Sequence, residues 1–220
     1  MDSWRELVLG IAKEEGGYLH RNPAETDITT GYGIYRTAQP DAKIFNYIDS
    51  IAKTLGINTK SNLWSKQQLE LIQSKMDKET ELSYSIDFYK NYFKAIKLDE
   101  FPIEVSRELA SIYTNGPKIA CKALQRTVNQ FIEYGVLSKR PWLTQDGILG
   151  AKSWESINEL NNICKKDTLR ANQFKYLFIG YCKTYYIELA VLYPDKYLRY
   201  LRGWNKRVDN LLDKPAFLVN

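Results

Sequence analysis

From residue 41 to residue 212 apolar side chains recur three and four positions apart in one segment after another. That spacing gathers them on one face of a helix. It predicts helices over 41–55, 65–94, 103–115, 117–134, 150–163, 167–192 and 194–212, with the second and sixth long enough to be broken once each. Ahead of them, Ser3-Trp4-Arg5-Glu6 reads as a capping box that starts a helix at Ser3. Trp4, Leu7, Val8 and Ile11 form its apolar stripe, and Gly16-Gly17 end it. Residues 18–36 break the pattern. Pro23, Thr29, Thr30, Gly31, Tyr32, Gly33 and Ile34 predict a loop with a short β-hairpin. A chain patterned this way folds as a mainly α protein.

Hydrophobic residues make up 44% of the 220, enough for a sizeable core. No apolar run approaches the roughly 18 residues of a membrane span. The opening MDSWRELVLG carries acids and no apolar h-region, so no signal peptide is expected and synthesis is cytoplasmic. Cys121, Cys164 and Cys182 are odd in number and far apart, and are expected to be free, buried thiols. With His20 the only histidine, a zinc cluster is not expected. The net charge of +5 is spread along the chain and suits an anionic surface, for which nucleic acid and the bacterial envelope both qualify. A soft boundary near 101–116 divides the chain into two lobes, although one integrated domain fits the length equally well.

On a helical wheel with Trp4 at zero, Leu7, Val8 and Ile11 fall within about 60°. Glu15 falls about 20° away, inside the apolar stripe, and Glu14 about 80° away, at its edge. A carboxyl group aimed at an apolar wall resists ionisation, which is what a general acid requires. The alternatives are that the helix frays before Glu15 or that an arginine pairs with it. One glycine suffices to cap a helix. A second, followed by Tyr18, implies backbone passing close to another segment or a ligand.

Glu15-Gly16-Gly17-Tyr18, Pro23-Ala24-Glu25 and Thr30-Gly31-Tyr32-Gly33-Ile34 together resemble the EGGY…PxD…TxxGI signature of glycoside hydrolase family 108, lysozyme-like N-acetylmuramidases of phages and bacteria. Asn115-Gly116, Ala123-Leu124-Gln125, the run from Asp146 to Gly150, and Gly203-Trp204 through Arg207 resemble motifs of that family's C-terminal half. The resemblance spans roughly residues 5 to 210. It implies a lysozyme-like fold, two lobes around a cleft, with residues 1–100 catalytic and 101–220 a helical, peptidoglycan-associated lobe. It implies cleavage of the β-1,4 bond between N-acetylmuramic acid and N-acetylglucosamine. Glu15 matches the catalytic glutamate, and Thr30 the threonine that helps hold the attacking water. Glu25 stands where the family has aspartate. The family's D-P-G-G run is replaced here by Glu25-Thr26-Asp27-Ile28, so the second carboxylate is Glu25 or Asp27, with Glu25 favoured because Pro23-Ala24 aligns directly before it. No cofactor or metal is implied. The expected partner is the peptidoglycan glycan strand, met by a monomer after holin-type or other non-classical release, with no nucleic acid and no stable membrane insertion. A lytic transglycosylase and a non-catalytic wall-binding adaptor are the competing readings.

Glycoside hydrolysis needs an acid on the leaving oxygen and usually a carboxylate across the sugar, about 6.5–9.5 Å away when a water must fit between them and the configuration inverts. Tyr18 and Tyr32 either stack on sugar faces or pack. Asn115 either binds an N-acetyl group or caps the helix near Pro117. His20 reads as an exposed loop residue, and Tyr84, Phe88, Tyr89, Tyr92 and Phe93 as a core stripe. Asp146-Gly147 reads as a turn that needs positive φ.

Overall fold

A computed structural model describes residues 3–21, 27–58 and 60–213. The protein is mainly helical, 72% by residue, with nine α-helices and no strand among the described residues. It divides into two compact units, 1–95 and 96–220.

In the first unit, α1 (Ser3–Glu15) buries Val8 and Ile11 and packs on α4. It stops at Gly16 and Gly17, whose φ values of 96° and 72° belong to the left-handed region that glycine enters without penalty. α2 (Lys43–Thr54) buries Ile44, Phe45, Ile48 and Ala52 at helical spacing. The long segment expected over 65–94 is broken once. α3 (Lys66–Lys75) starts on a complete Ser65–Gln68 capping box, and α4 (Lys78–Tyr92) starts afresh at Asp77. Asp77 causes the break. Its carboxylate accepts from the Thr80 amide at 2.8 Å, and its own amide donates to the Tyr47 hydroxyl at 2.8 Å, which fits an N-cap and not a helix interior. Tyr89 and Phe93 are fully buried and stack 5.5 Å apart, while Tyr84, Phe88 and Tyr92 are only half-buried.

The hairpin expected over 18–36 is reduced to two isolated antiparallel bridges, His20 with Thr29 and Thr29 with Tyr35. The turn itself uses the donors a ladder would need. The Thr30 hydroxyl oxygen accepts from the amides of Tyr32 at 3.3 Å and Ile34 at 3.2 Å. Arg36 ties this region to α2. Its guanidinium donates to Asp49 at 2.8 and 3.3 Å and to the Phe45 carbonyl at 3.2 Å.

In the second unit α5 (Ile103–Asn115), α6 (Pro117–Glu133), α7 (Ala151–Cys164) and α9 (Pro194–Asp213) all pack on α8 (Thr168–Leu192). Contact with four helices accompanies an unbroken α8 where the sequence suggested a break: Ala171, Phe174, Phe178, Ile179, Cys182, Tyr186 and Ala190 form its buried face. Lys175 of α8 and Glu108 of α5 form a buried ion pair at 3.4 Å. Burial pushes the Glu108 carboxyl above its ordinary value, with Lys175 opposing. Gln125 pins the loop after α6. Its side chain donates to Asp146 at 2.9 Å and to the Ile148 carbonyl at 3.0 Å, and accepts from the Gly147 amide at 2.9 Å. Gly147 has φ 80°, the turn geometry its neighbour Asp146 foretold. Trp204 stacks on Tyr186 at 4.7 Å and fastens α9 to α8.

Cys121, Cys164 and Cys182 are free and buried. Burial raises the first two thiols to about 11 and about 12 and the third well above its ordinary value. Thiolate is the reactive form, so all three are expected to resist a disulfide reagent at neutral pH and to react together on unfolding. Rapid labelling of native protein would contradict this packing. Among the described residues no helix is long and apolar enough to cross a membrane.

Candidate active site

α1 remains helical through Glu15, so the helix does not fray before the candidate acid. No arginine among the described residues pairs with it either. Its shelter is partial. Glu15 is half-buried, not enclosed as its wheel position suggested, and one side of it meets protein closely.

That side is Gly33. With φ 76°, Gly33 turns its backbone so that a Cβ there would lie 2.7 Å from the Glu15 Cγ and 3.0 Å from its carboxyl carbon. Only a glycine lets Glu15 occupy this position. Two residues earlier, a Cβ on Gly31 would lie 2.5 Å from the Gly17 carbonyl carbon and 2.6 Å from the Tyr18 nitrogen. The close approach implied by the second glycine is thus to another chain segment. Glycines 16, 17, 31 and 33 are one device: they bring the end of α1 and the Thr30 turn into backbone contact.

Tyr89 supports the turn from below. Its hydroxyl donates to the Tyr32 carbonyl at 2.6 Å. Burial raises the Tyr89 phenol far above its ordinary value, and the negative charge of nearby Glu15 adds to the effect.

The other candidates separate. Thr30 does not sit on a strand facing outward. It opens the turn, is 0% exposed, and uses its hydroxyl oxygen for two backbone amides. Tyr32 does not offer a stacking face, because its ring is buried at 9% exposure. Burial, then the charge of Glu81, raises its phenol. Tyr18 does offer one, at 58% exposure, with its ring 5.4 Å from His20. His20 is half-buried, not exposed, since its backbone pairs with Thr29 and its ring meets the Tyr18 carbonyl at 3.0 Å. Glu25 lies outside the described residues, with its neighbours 22–26. Asp27 is half-buried and already engaged: its Oδ1 accepts from the Ile28 amide and from the Ser61 hydroxyl. Asn115 belongs to the second unit, where its amide donates to the Ser111 carbonyl at 2.9 Å and makes no side-chain cap on α6.

Sequence reasoning missed Gln73, whose side chain accepts from the Leu19 amide at 2.5 Å, and Tyr89 as supports of this site. It also missed that Glu81 is buried, although Glu81 precedes Ser85 by four and Tyr89 by eight residues on one face of α4. Among the described residues no three His, Cys, Asp or Glu side chains gather as metal ligands. A scan of protein-family models finds no match to this chain, and neither does a search of curated proteins.

Proposed function

We propose that the protein is a peptidoglycan hydrolase of the N-acetylmuramidase type, with Glu15 as its general acid. The observation that carries this is the placement of Glu15. A half-buried carboxyl group with no ion pair among the described residues ends an intact helix and lies against Gly33, where a glycine device that four residues serve brings the turn to it. Stability alone gives no reason to put a carboxylate at a helix C-terminus, where the helix dipole opposes it.

In this reading Glu15 gives its proton to the glycosidic oxygen as the bond to the anomeric carbon breaks. Water adds at that carbon, and its proton passes to a second carboxylate. Glu25 is the better second carboxylate, since Asp27 is committed to Ser61 and the Ile28 amide. Tyr18 supplies the exposed aromatic face for a sugar ring. The second unit is the wall-associated half.

One observation favours a lytic transglycosylase. The Thr30 hydroxyl oxygen is buried and already accepts two amides, which leaves it poorly placed to orient water. Digestion of purified peptidoglycan followed by mass spectrometry of the products distinguishes these chemistries. Hydrolysis yields reducing N-acetylmuramic acid ends. Products ending only in 1,6-anhydromuramic acid would assign the transglycosylase reaction. Release of no fragments would leave a wall-binding role.

A further inference from the structure

Two side chains, one from α4 and one from α3, hold the two segments that meet at Glu15. Tyr89 of α4 is buried, and its hydroxyl donates to the Tyr32 carbonyl at 2.6 Å. That carbonyl belongs to the Tyr32–Gly33 peptide, whose amide donates to the Thr30 carbonyl at 3.0 Å. A peptide unit is planar, so a bond at its carbonyl and another at its amide fix its orientation. The Gly33 Cα comes next, and a Cβ on it would lie 2.7 Å from the Glu15 Cγ. The surface against which Glu15 rests is thus attached directly to the peptide that Tyr89 bonds. Gln73 of α3 holds the other segment. Its side-chain oxygen accepts from the amide of buried Leu19 at 2.5 Å. Leu19 follows the Gly16–Tyr18 turn by which the chain leaves Glu15. The next residue, His20, exchanges backbone bonds with Thr29 at 3.0 and 2.8 Å. Packing does not require the Tyr89 hydroxyl. Phenylalanine would fill the same space and keep the 5.5 Å stack on Phe93, and a buried hydroxyl costs free energy unless it is bonded.

We propose that Tyr89 and Gln73 are positioning residues for Glu15: Tyr89 orients the Tyr32–Gly33 peptide on which the acid rests, and Gln73 anchors the segment that follows it. This rests on the reading of Glu15 as the acid. A general acid works only while its proton is aimed at the leaving oxygen, and a misplacement of about 1 Å costs on the order of 10²-fold in rate. Releasing either bond lets the Glu15 carboxyl group wander from that aim. Contacts to the rest of the glycan are untouched, so the loss falls on kcat and leaves KM in place.

The test uses the full chain with Tyr89→Phe and Gln73→Leu, and with Tyr47→Phe as the control. Tyr47→Phe removes a first-unit hydroxyl that serves the Asp77 amide and not the turn. Four quantities are measured: kcat and KM on soluble peptidoglycan fragments, Tm, and amide hydrogen exchange at Gly33 and Leu19. Tyr89→Phe is expected to lower kcat at least about tenfold with KM within about twofold, and to speed Gly33 exchange at least about tenfold. Gln73→Leu is expected to lower kcat by a similar factor and to speed Leu19 exchange at least about tenfold. Tyr47→Phe should keep kcat and both exchange rates within about twofold, whatever its Tm. Wild-type kcat in both variants overturns the proposal, as do losses no larger than those of Tyr47→Phe at the same margin below Tm. A loss in one variant alone removes the other residue from the assignment. If the wild-type chain cleaves no glycan, the proposed function fails. The exchange measurement does not depend on cleavage, and wild-type exchange in both variants would show that neither side chain anchors its segment.

Discussion

Glu15→Gln is expected to lower the rate of peptidoglycan cleavage by about 10²–10⁴-fold, the usual contribution of a positioned general acid. The substitution is isosteric. Glutamine keeps the Cγ that meets Gly33 and removes only the transferable proton. No described ion pair is lost, so thermal stability should change by less than about 0.5 kcal/mol. Binding to insoluble wall should persist. Rate measurements on fragments and a pelleting assay on purified wall check both halves. Unchanged cleavage would remove Glu15 from the chemistry. Loss of cleavage together with loss of fold would show that the side chain's role is structural.

Gly31→Ala is expected to be the most destabilising small substitution in the first unit. A Cβ there meets the Gly17 carbonyl carbon at 2.5 Å, the Tyr18 nitrogen at 2.6 Å and the Gly17 oxygen at 2.9 Å. These are backbone atoms and cannot rotate away, so the two segments must separate. Overpacking of this kind costs about 3 kcal/mol, which for a chain of this length lowers Tm by about 6–12 °C. Cleavage should fall as well, because the turn that holds Glu15 moves with the Gly17–Tyr18 peptide. Gly180→Ala is the control. Gly180 is exposed within α8, and a Cβ there meets nothing within 4 Å. There the same added methyl group should stabilise by about 0.5–1 kcal/mol, since alanine restricts the unfolded chain and favours helix. Melting curves of the two variants should therefore move in opposite directions. A wild-type Tm for Gly31→Ala would mean that the end of α1 and the Thr30 turn are not in contact.

The helices were legible because each carries its own evidence. Periodic apolar residues, Ser65 with Gln68, Asp77, Pro117 and the Gly16-Gly17 stop act within a turn or two of where they stand. That α8 runs unbroken was less legible, since its continuity goes with α5, α6, α7 and α9 packing along it, contacts that local pattern does not show. The hairpin was overestimated for a related reason. Thr29, Thr30, Tyr32 and Ile34 are residue types common in strands, and only the turn's hydrogen bonds show that the amides of Tyr32 and Ile34 go to the Thr30 side chain.

Local pattern thus determined that the chain is helical, where most helices begin and end, and that a carboxyl group closes the first of them. Tertiary structure alone decided what surrounds that group: Gly33 beside it, Gly31 against Gly17, Tyr89 bonded to the Tyr32 carbonyl, Thr30 and Tyr32 turned inward. The division has a simple cause. Helical periodicity and capping are set by neighbours a few residues apart, whereas burial and close approach depend on segments that are distant in sequence and meet only when the chain packs.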